Sequence, residues 1–115
     1  MSIKIYHNPR CSKSRQTLLL AQEHGVDIEI VEYLKKPPTK AELLTILSLL
    51  DFKPRELMRK GEAIYKELQL KDDTLSDEQL IDAMLENPIL IERPIAVANG
   101  QAVIGRPPEN ILSII

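Results

Sequence analysis

The sequence predicts a single α/β domain, and three observations predict it. Near its start, two strand-like stretches flank a helical one. Several helix-patterned segments with capping sequences fill the middle. Toward the end, an Asn-Gly pair separates two short β-rich runs and a further helical segment follows.

Each element has a local cause. Ile3-Lys4-Ile5-Tyr6 alternates apolar and polar, as a half-buried strand does, and His7-Asn8-Pro9-Arg10 breaks it. From about Ser12 to His24, Thr17, Leu18, Leu20 and Ala21 recur at helical spacing, and Gly25 is placed to end the helix. Val26 to Tyr33 reads as a second strand, with Ile28, Ile30 and Glu32 in alternation, and Pro37-Pro38 ends that segment. Thr39-Lys40-Ala41-Glu42 is a capping box opening a helix through Leu50. Pro54 suits the first turn of a short helix through Met58 or Arg59, and Ala63 to Leu68 is a weaker helical piece. Ser76-Asp77-Glu78-Gln79 is a second capping box, followed by the stripe Leu80, Ile81, Met84 and Leu85, which Asn87-Pro88 stops. Ile95 to Val97 and Ala102 to Ile104 are strands around the Asn99-Gly100 turn, and Pro107-Pro108 starts a final helix from Glu109 to Ile114. The order βαβ, helices, ββα points to a thioredoxin-like fold: a mixed four-stranded sheet flanked by helices, with a helical insertion at about residues 39–90 of a single domain spanning 1–115.

Composition bounds the function. A chain of 115 residues with 43% apolar residues and no Trp builds an aliphatic core. The net charge of −2 argues against a general nucleic-acid binder. Lys4, His7 and Arg10 interrupt any signal-peptide pattern, and no apolar run approaches the ~20 residues of a membrane span. One cysteine cannot form an internal disulfide, so the cytoplasm is the expected location and no membrane partner is expected. No His and Cys spacing suits a metal. The charge is uneven: residues 1–60 hold eleven Lys or Arg against seven acids, and residues 61–115 hold four against ten.

Cys11 follows a strand and a Pro-containing turn and immediately precedes a helix. The first N–H groups of a helix lack internal partners and carry partial positive charge, which favours a thiolate. His7, Arg10, Lys13 and Arg15 crowd cationic or potentially cationic groups at a helix start that would ordinarily favour acids. A bound anion would correct that imbalance, and Ser12 and Ser14 offer hydroxyls to cap the helix or to donate to it. The competing reading makes Cys11 a small buried hydrophobe.

After Lys71 the basic residues are Arg93 and Arg106 alone. A two-residue turn at Asn99-Gly100 pairs Ala98 with Gln101, so every cross-strand pair sums to 199 and Arg93 falls opposite Arg106. Like charges directly opposite are destabilising unless something negative lies between them. Arginine binds tetrahedral oxyanions in a bidentate way. Alternatively, Arg93 pairs with Glu92 and Arg106 with Glu109. Arg59, near a helix C-terminus, is explained by the macrodipole as well as by a ligand.

The segment Tyr6-His7-Asn8-Pro9-Arg10-Cys11-Ser12-Lys13-Ser14-Arg15 resembles the active-site segment of the glutaredoxin-coupled arsenate reductases, the ArsC family. The resemblance continues through Tyr33-Leu34 with Pro37-Pro38, Arg55 to Arg59, Asp77 to Met84, Asn87 to Pro94 and Ile104 to Pro107. It departs at Ser12-Lys13, where better-known members carry Gly-Thr. It implies a catalytic Cys11, oxyanion binding by Arg59, Arg93 and Arg106, support of the thiolate by His7 and Ser14, and a cis Arg93–Pro94 bond. It further implies reduction of arsenate to arsenite, with no bound cofactor. Because the chain has no second cysteine, glutathione is the expected co-substrate thiol and glutaredoxin the partner that clears the mixed disulfide. Two rival readings stand beside it: a general glutathione-linked thiol oxidoreductase, and a non-enzymatic redox-responsive transcription regulator of the same superfamily. The second usually carries Cys-x-x-Cys, and position 14 here is Ser.

Overall fold

The computed structural model describes residues 2–115. Strand β1 (Ser2–His7) leads through a tight turn into helix α1 (Ser12–Glu23), and β2 (Asp27–Glu32) follows. The helix ends where Gly25 takes the left-handed conformation, φ 67°, which costs a residue without a Cβ little. β1 and β2 are parallel, from Ser2 opposite Asp27 to His7 opposite Glu32. Strands β3 (Ile95–Ala98) and β4 (Gln101–Ile104) complete a sheet of order β2-β1-β3-β4, with β3 antiparallel to both neighbours. This is the mixed four-stranded sheet expected of a thioredoxin-like fold.

The hairpin register is the expected one. Ile95 pairs with Ile104 and Ala98 with Gln101. Asn99 (φ 54°) and Gly100 (φ 69°) both have positive φ, the backbone a two-residue turn needs if the strands are to keep their twist. Asn99 Nδ2 also donates to the Ile114 carbonyl at 2.9 Å, tying the turn to the segment that follows the hairpin.

The chain forms two compact units, one made of residues up to Lys36 with Arg93–Ile115, the other of Pro37–Glu92. In the first, alternate residues of β1 and β3 (Ile3, Ile5, Ala96, Ala98) meet Ala21 of α1 and Ile111 and Ile114. Ile5 is fully buried there, so Ile5→Ala would cost about 2–5 kcal/mol. The second unit holds α2 (Lys40–Leu50), a 3₁₀ turn at Pro54–Leu57, α3 (Ala63–Glu67), α4 (Asp77–Glu86) and a 3₁₀ turn at Pro88–Leu90. Both capping boxes form. Thr39 Oγ1 accepts from the Glu42 N–H at 3.1 Å, and Ser76 Oγ accepts from the Gln79 N–H at 3.1 Å. Leu43, Leu57, Met84 and Leu90 are fully buried.

One local expectation changes, and two elements show details that the local sequence leaves open. The final helix is a 3₁₀ segment, Pro108–Ser113, closed by bonds such as Asn110 N–H to the Pro107 carbonyl at 3.0 Å. Two prolines and six residues leave too few donors to establish the α-helical ladder. Ile30 is 47% exposed, because β2 is an edge strand. Asn87-Pro88 ends α4, yet the chain winds on for one 3₁₀ turn.

Candidate active site

Cys11 owes its position to the turn after β1. Asn8, only 4% exposed, folds that turn with both ends of its residue. Its Oδ1 accepts the Arg10 N–H at 3.0 Å, and its carbonyl accepts the Cys11 N–H at 3.0 Å. An Asn-Pro sequence favours this side-chain-to-backbone turn. Cys11 then occupies the N-cap of α1 in extended conformation, φ −93° and ψ 123°, and no acid sits in the first helical turn. Ser12 and Lys13 are therefore the first two helical residues, and Ser14 is the third.

Ser14 is fully buried, and its hydroxyl is committed away from any anion. Oγ accepts the Asn8 N–H at 3.0 Å and shares a hydrogen bond of 2.6 Å with His7 Nδ1. The sequence leaves this hydroxyl to cap the helix or to donate to an anion; two buried groups at the end of β1 claim it instead. The Ser14 backbone N–H serves the sulfur instead.

The hairpin brings both arginines to the same atom. Strand pairing ends at Ile95 and Ile104, but the Gly105 N–H still reaches the Pro94 carbonyl at 2.9 Å, so the same register persists one residue further. Beyond it, Arg106 Nε donates to the Arg93 carbonyl at 2.8 Å, and Arg106 Nη2 donates to Cys11 Sγ at 3.3 Å. The Arg93 guanidinium is hydrogen-bonded to the same sulfur. The Arg93–Pro94 and Arg106–Pro107 peptide bonds are both cis.

These contacts decide the protonation state of the thiol. Burial, at 8% exposure, pushes the Cys11 pKa up. The Ser14 N–H, the hydrogen bond and charge of Arg93 and the charge of Arg106 outweigh it, and the net shift is below the ordinary thiol value. His7 moves the other way from a cation. Burial lowers its pKa most, Arg15 adds to that, and Glu32, its cross-strand neighbour on β2, opposes it. At neutral pH His7 is thus a neutral, hydrogen-bonded ring rather than one of the local positive charges.

Cys11, Arg93, Arg106, His7 and Ser14 are therefore brought together within one compact unit. Arg59 belongs to the other unit. An isolated bridge between Met58 and Ile91 is flanked by Arg59 N–H to the Leu90 carbonyl at 2.7 Å and Glu92 N–H to the Leu57 carbonyl at 2.8 Å. Arg59 Nη1 meets Glu92 Oε1 at 2.6 Å and Nε meets Glu62 Oε2 at 3.2 Å. Glu92, which the sequence offered to Arg93, is engaged by Arg59.

The profile of the ArsC family matches residues 6–114. The chain belongs to the ArsC family. It is 58% identical over 114 residues to the uncharacterized protein YfgD of Escherichia coli K12, covering 98% of this chain and 96% of that one. It is 46% identical to an arsenate reductase of Neisseria meningitidis, covering 98% and 97%. Among solved structures, an arsenate reductase from Vibrio cholerae superposes with a TM-score of 0.97 at 50% identity, covering 100% of this chain and 98% of that one.

Three contributors in this ArsC family chain escaped the sequence reading. Asn8 could have been found from its place before Pro9. Thr17 and Gly105 could not, because they meet only in space. Thr17 Oγ1 donates to the Lys13 carbonyl at 2.9 Å and approaches the Gly105 carbonyl at 3.4 Å, beside Arg106. The pairing of Arg59 with Glu92 is the third contribution, since charge pairing between residues 33 apart leaves no local signature.

Proposed function

We propose that this protein is a glutathione- and glutaredoxin-dependent arsenate reductase working through Cys11 in the cytoplasm. The observation that carries the reading is the pair of guanidiniums on one sulfur: Arg106 at 3.3 Å from Cys11 Sγ and Arg93 hydrogen-bonded to it. Two fixed cations beside a buried thiol favour its thiolate, the competent nucleophile. The same planar donors match the oxygens of a tetrahedral oxyanion. The names of the relatives from Neisseria meningitidis and Vibrio cholerae supply arsenate as that anion.

In this mechanism the Cys11 thiolate attacks arsenic(V), an As–O bond breaks, and the departing oxygen leaves as hydroxide or water. Arg93 and Arg106 offset the charge that builds on the remaining oxygens. The family resemblance implies Arg59 as a further oxyanion donor. A glutathione thiolate then attacks the Cys11 sulfur: the S–S bond of a Cys11–glutathione disulfide forms as the S–As bond breaks, and the electron pair of that bond stays on arsenic, which departs as arsenite. A glutaredoxin thiolate attacks the glutathione sulfur and returns Cys11 as thiolate. His7 and Ser14 support the thiolate at one remove: their hydrogen bond fixes the residue whose N–H faces Cys11 Sγ. No metal or bound cofactor takes part.

The test follows NADPH oxidation with arsenate, glutathione, glutaredoxin and glutathione reductase present. Turnover depends on arsenate, disappears in Cys11→Ser and falls about 10²-fold in Arg93→Ala, the usual loss for one oxyanion donor. A rate no higher than without arsenate overturns the proposal. Brisk turnover of a glutathione mixed disulfide in its place would favour the general oxidoreductase.

A further inference from the structure

The guanidinium of Arg59 already carries two carboxylates. Its Nε donates to Glu62 Oε2 at 3.2 Å and its Nη1 to Glu92 Oε1 at 2.6 Å, with the three side chains 22%, 27% and 27% exposed. The backbone prepares this arrangement. The bonds on either side of the Met58–Ile91 bridge hold Arg59 and Glu92 on adjacent extended segments. The Glu62 N–H bonds to the Arg59 carbonyl at 3.3 Å, which places Glu62 one turn further on. The two carboxylates thus already occupy guanidinium donors that an anion would need.

From this geometry we propose that Glu62 and Glu92 form a carboxylate latch on Arg59, against which an incoming oxyanion must compete for the guanidinium. The two glutamates thereby set how tightly oxyanions bind and discriminate among them by charge. The inference rests on the reading of Arg59 as an oxyanion donor. Its physical basis is that a guanidinium presents its N–H groups in a rigid planar fork, and a carboxylate occupies the same donors that a tetrahedral anion would use. Partial burial keeps water from screening the pair fully, so the competition is felt. Repulsion between carboxylate and anion grows with the charge of the anion, so the latch penalises dianions more than monoanions.

The test uses sulfate, a dianion that Cys11 cannot reduce, titrated into the full-length protein by calorimetry. Glu92→Gln keeps the shape and a hydrogen-bond acceptor while removing the charge, and it should bind sulfate about three- to fivefold more tightly. Glu62→Gln should act in the same direction. Neither substitution should change sulfate affinity once Arg59→Ala is present, because the latch then has nothing to hold. Unchanged or weaker binding in Glu92→Gln overturns the proposal. An equal gain in the Arg59→Ala background does so too, since it marks a diffuse charge effect. Should Glu92→Gln not fold, as judged by its melting temperature, the Glu62→Gln pair of measurements decides alone. If sulfate behaves as expected while arsenate-dependent turnover is absent, the latch stands and the proposed reaction falls. If Arg59→Ala leaves sulfate binding unchanged, the latch falls and the chemistry at Cys11 stands.

Discussion

A single added carbon at Gly105 should both destabilise the protein and disarm Cys11. A Cβ there would lie 2.5 Å from Thr17 Oγ1, 2.7 Å from Pro94 Cγ and 3.1 Å from Thr17 Cγ2. Neither neighbour has somewhere to go. Thr17 is fully buried, β-branched and bonded to the Lys13 carbonyl at 2.9 Å. Pro94 is buried and its ring is rigid. Either α1 or the end of β4 must therefore shift by several tenths of an ångström. Overpacking of this kind costs about 1–3 kcal/mol. Straining the Thr17 hydrogen bonds adds about 1 kcal/mol, so Gly105→Ala should lose roughly 2–4 kcal/mol in urea denaturation. For a chain of this size that corresponds to a drop in Tm of about 10 °C. Arg106 is the next residue and its guanidinium lies on Cys11 Sγ, so the same shift raises the Cys11 pKa and slows alkylation by iodoacetamide at pH 7. Adding Thr17→Ala removes two of the three close contacts and should return part of the lost stability, a coupling visible in a double-mutant cycle. A Gly105→Ala protein with wild-type stability and an unchanged alkylation profile would refute the reasoning, as would strictly additive losses in the double variant.

The other predictions concern the groups around the sulfur. Ser14→Ala strands the buried Asn8 N–H and His7 Nδ1, so denaturation should show a loss of about 1–3 kcal/mol. The backbone N–H at position 14 survives that change, so the alkylation pH profile should move less than in Arg93→Ala. The folded Cys11 pKa lies below the unfolded value of about 8.5, so wild type should gain stability relative to Cys11→Ser as pH rises from the folded pKa toward 8.5. That advantage should vanish as pH falls through the folded pKa; denaturation midpoints between pH 5 and about 9 that run parallel for the two proteins would contradict it. His7 also has a lowered folded pKa, so wild type should lose stability relative to His7→Asn as pH falls below about 6.5, levelling off only below the folded pKa. A constant difference across that range would mean that the folded pKa of His7 is not lowered.

What was legible in the sequence is what depends on neighbours in the chain. The capping boxes at Thr39 and Ser76 need only a hydroxyl and an acceptor three residues apart, and both close as read. Asn99-Gly100 admits φ > 0 at two successive positions, which sets the hairpin register and with it the approach of Arg93 and Arg106. Cys11 at a helix start was equally local. The direction of the Ser14 hydroxyl was not, because it depends on which buried groups of β1 lie above it. His7 looked like a cation since its burial depends on the whole sheet. The Thr17–Gly105 approach joins residues 88 apart, and nothing in either segment announces it. The final helix was misjudged in type because two prolines say where a helix starts and little about which hydrogen-bond spacing it will keep.

The dependence of the site on sheet register carries a further consequence. Cys11 and Arg106 are 95 residues apart in sequence and meet because two independent registers agree. One sets Tyr6 opposite Ile95, bringing the end of β1 beside the start of β3. The other sets Ile95 opposite Ile104, bringing the end of β4 to the same edge. A slip of one residue in either would turn Ile3 and Ile5, or Ala96 and Ala98, away from Ala21, Ile111 and Ile114. The aliphatic packing that stabilises the sheet is thus the same constraint that holds two guanidiniums against one sulfur. A partly folded chain with unpaired β3 and β4 would keep Cys11 at the head of α1 and the Ser14 N–H beside it, but would lack both arginines, and its thiol would be less acidic than in the folded protein. Reactivity at Cys11 is for this reason a property of the assembled sheet, and its alkylation rate at pH 7 should report the loss of hairpin pairing during unfolding.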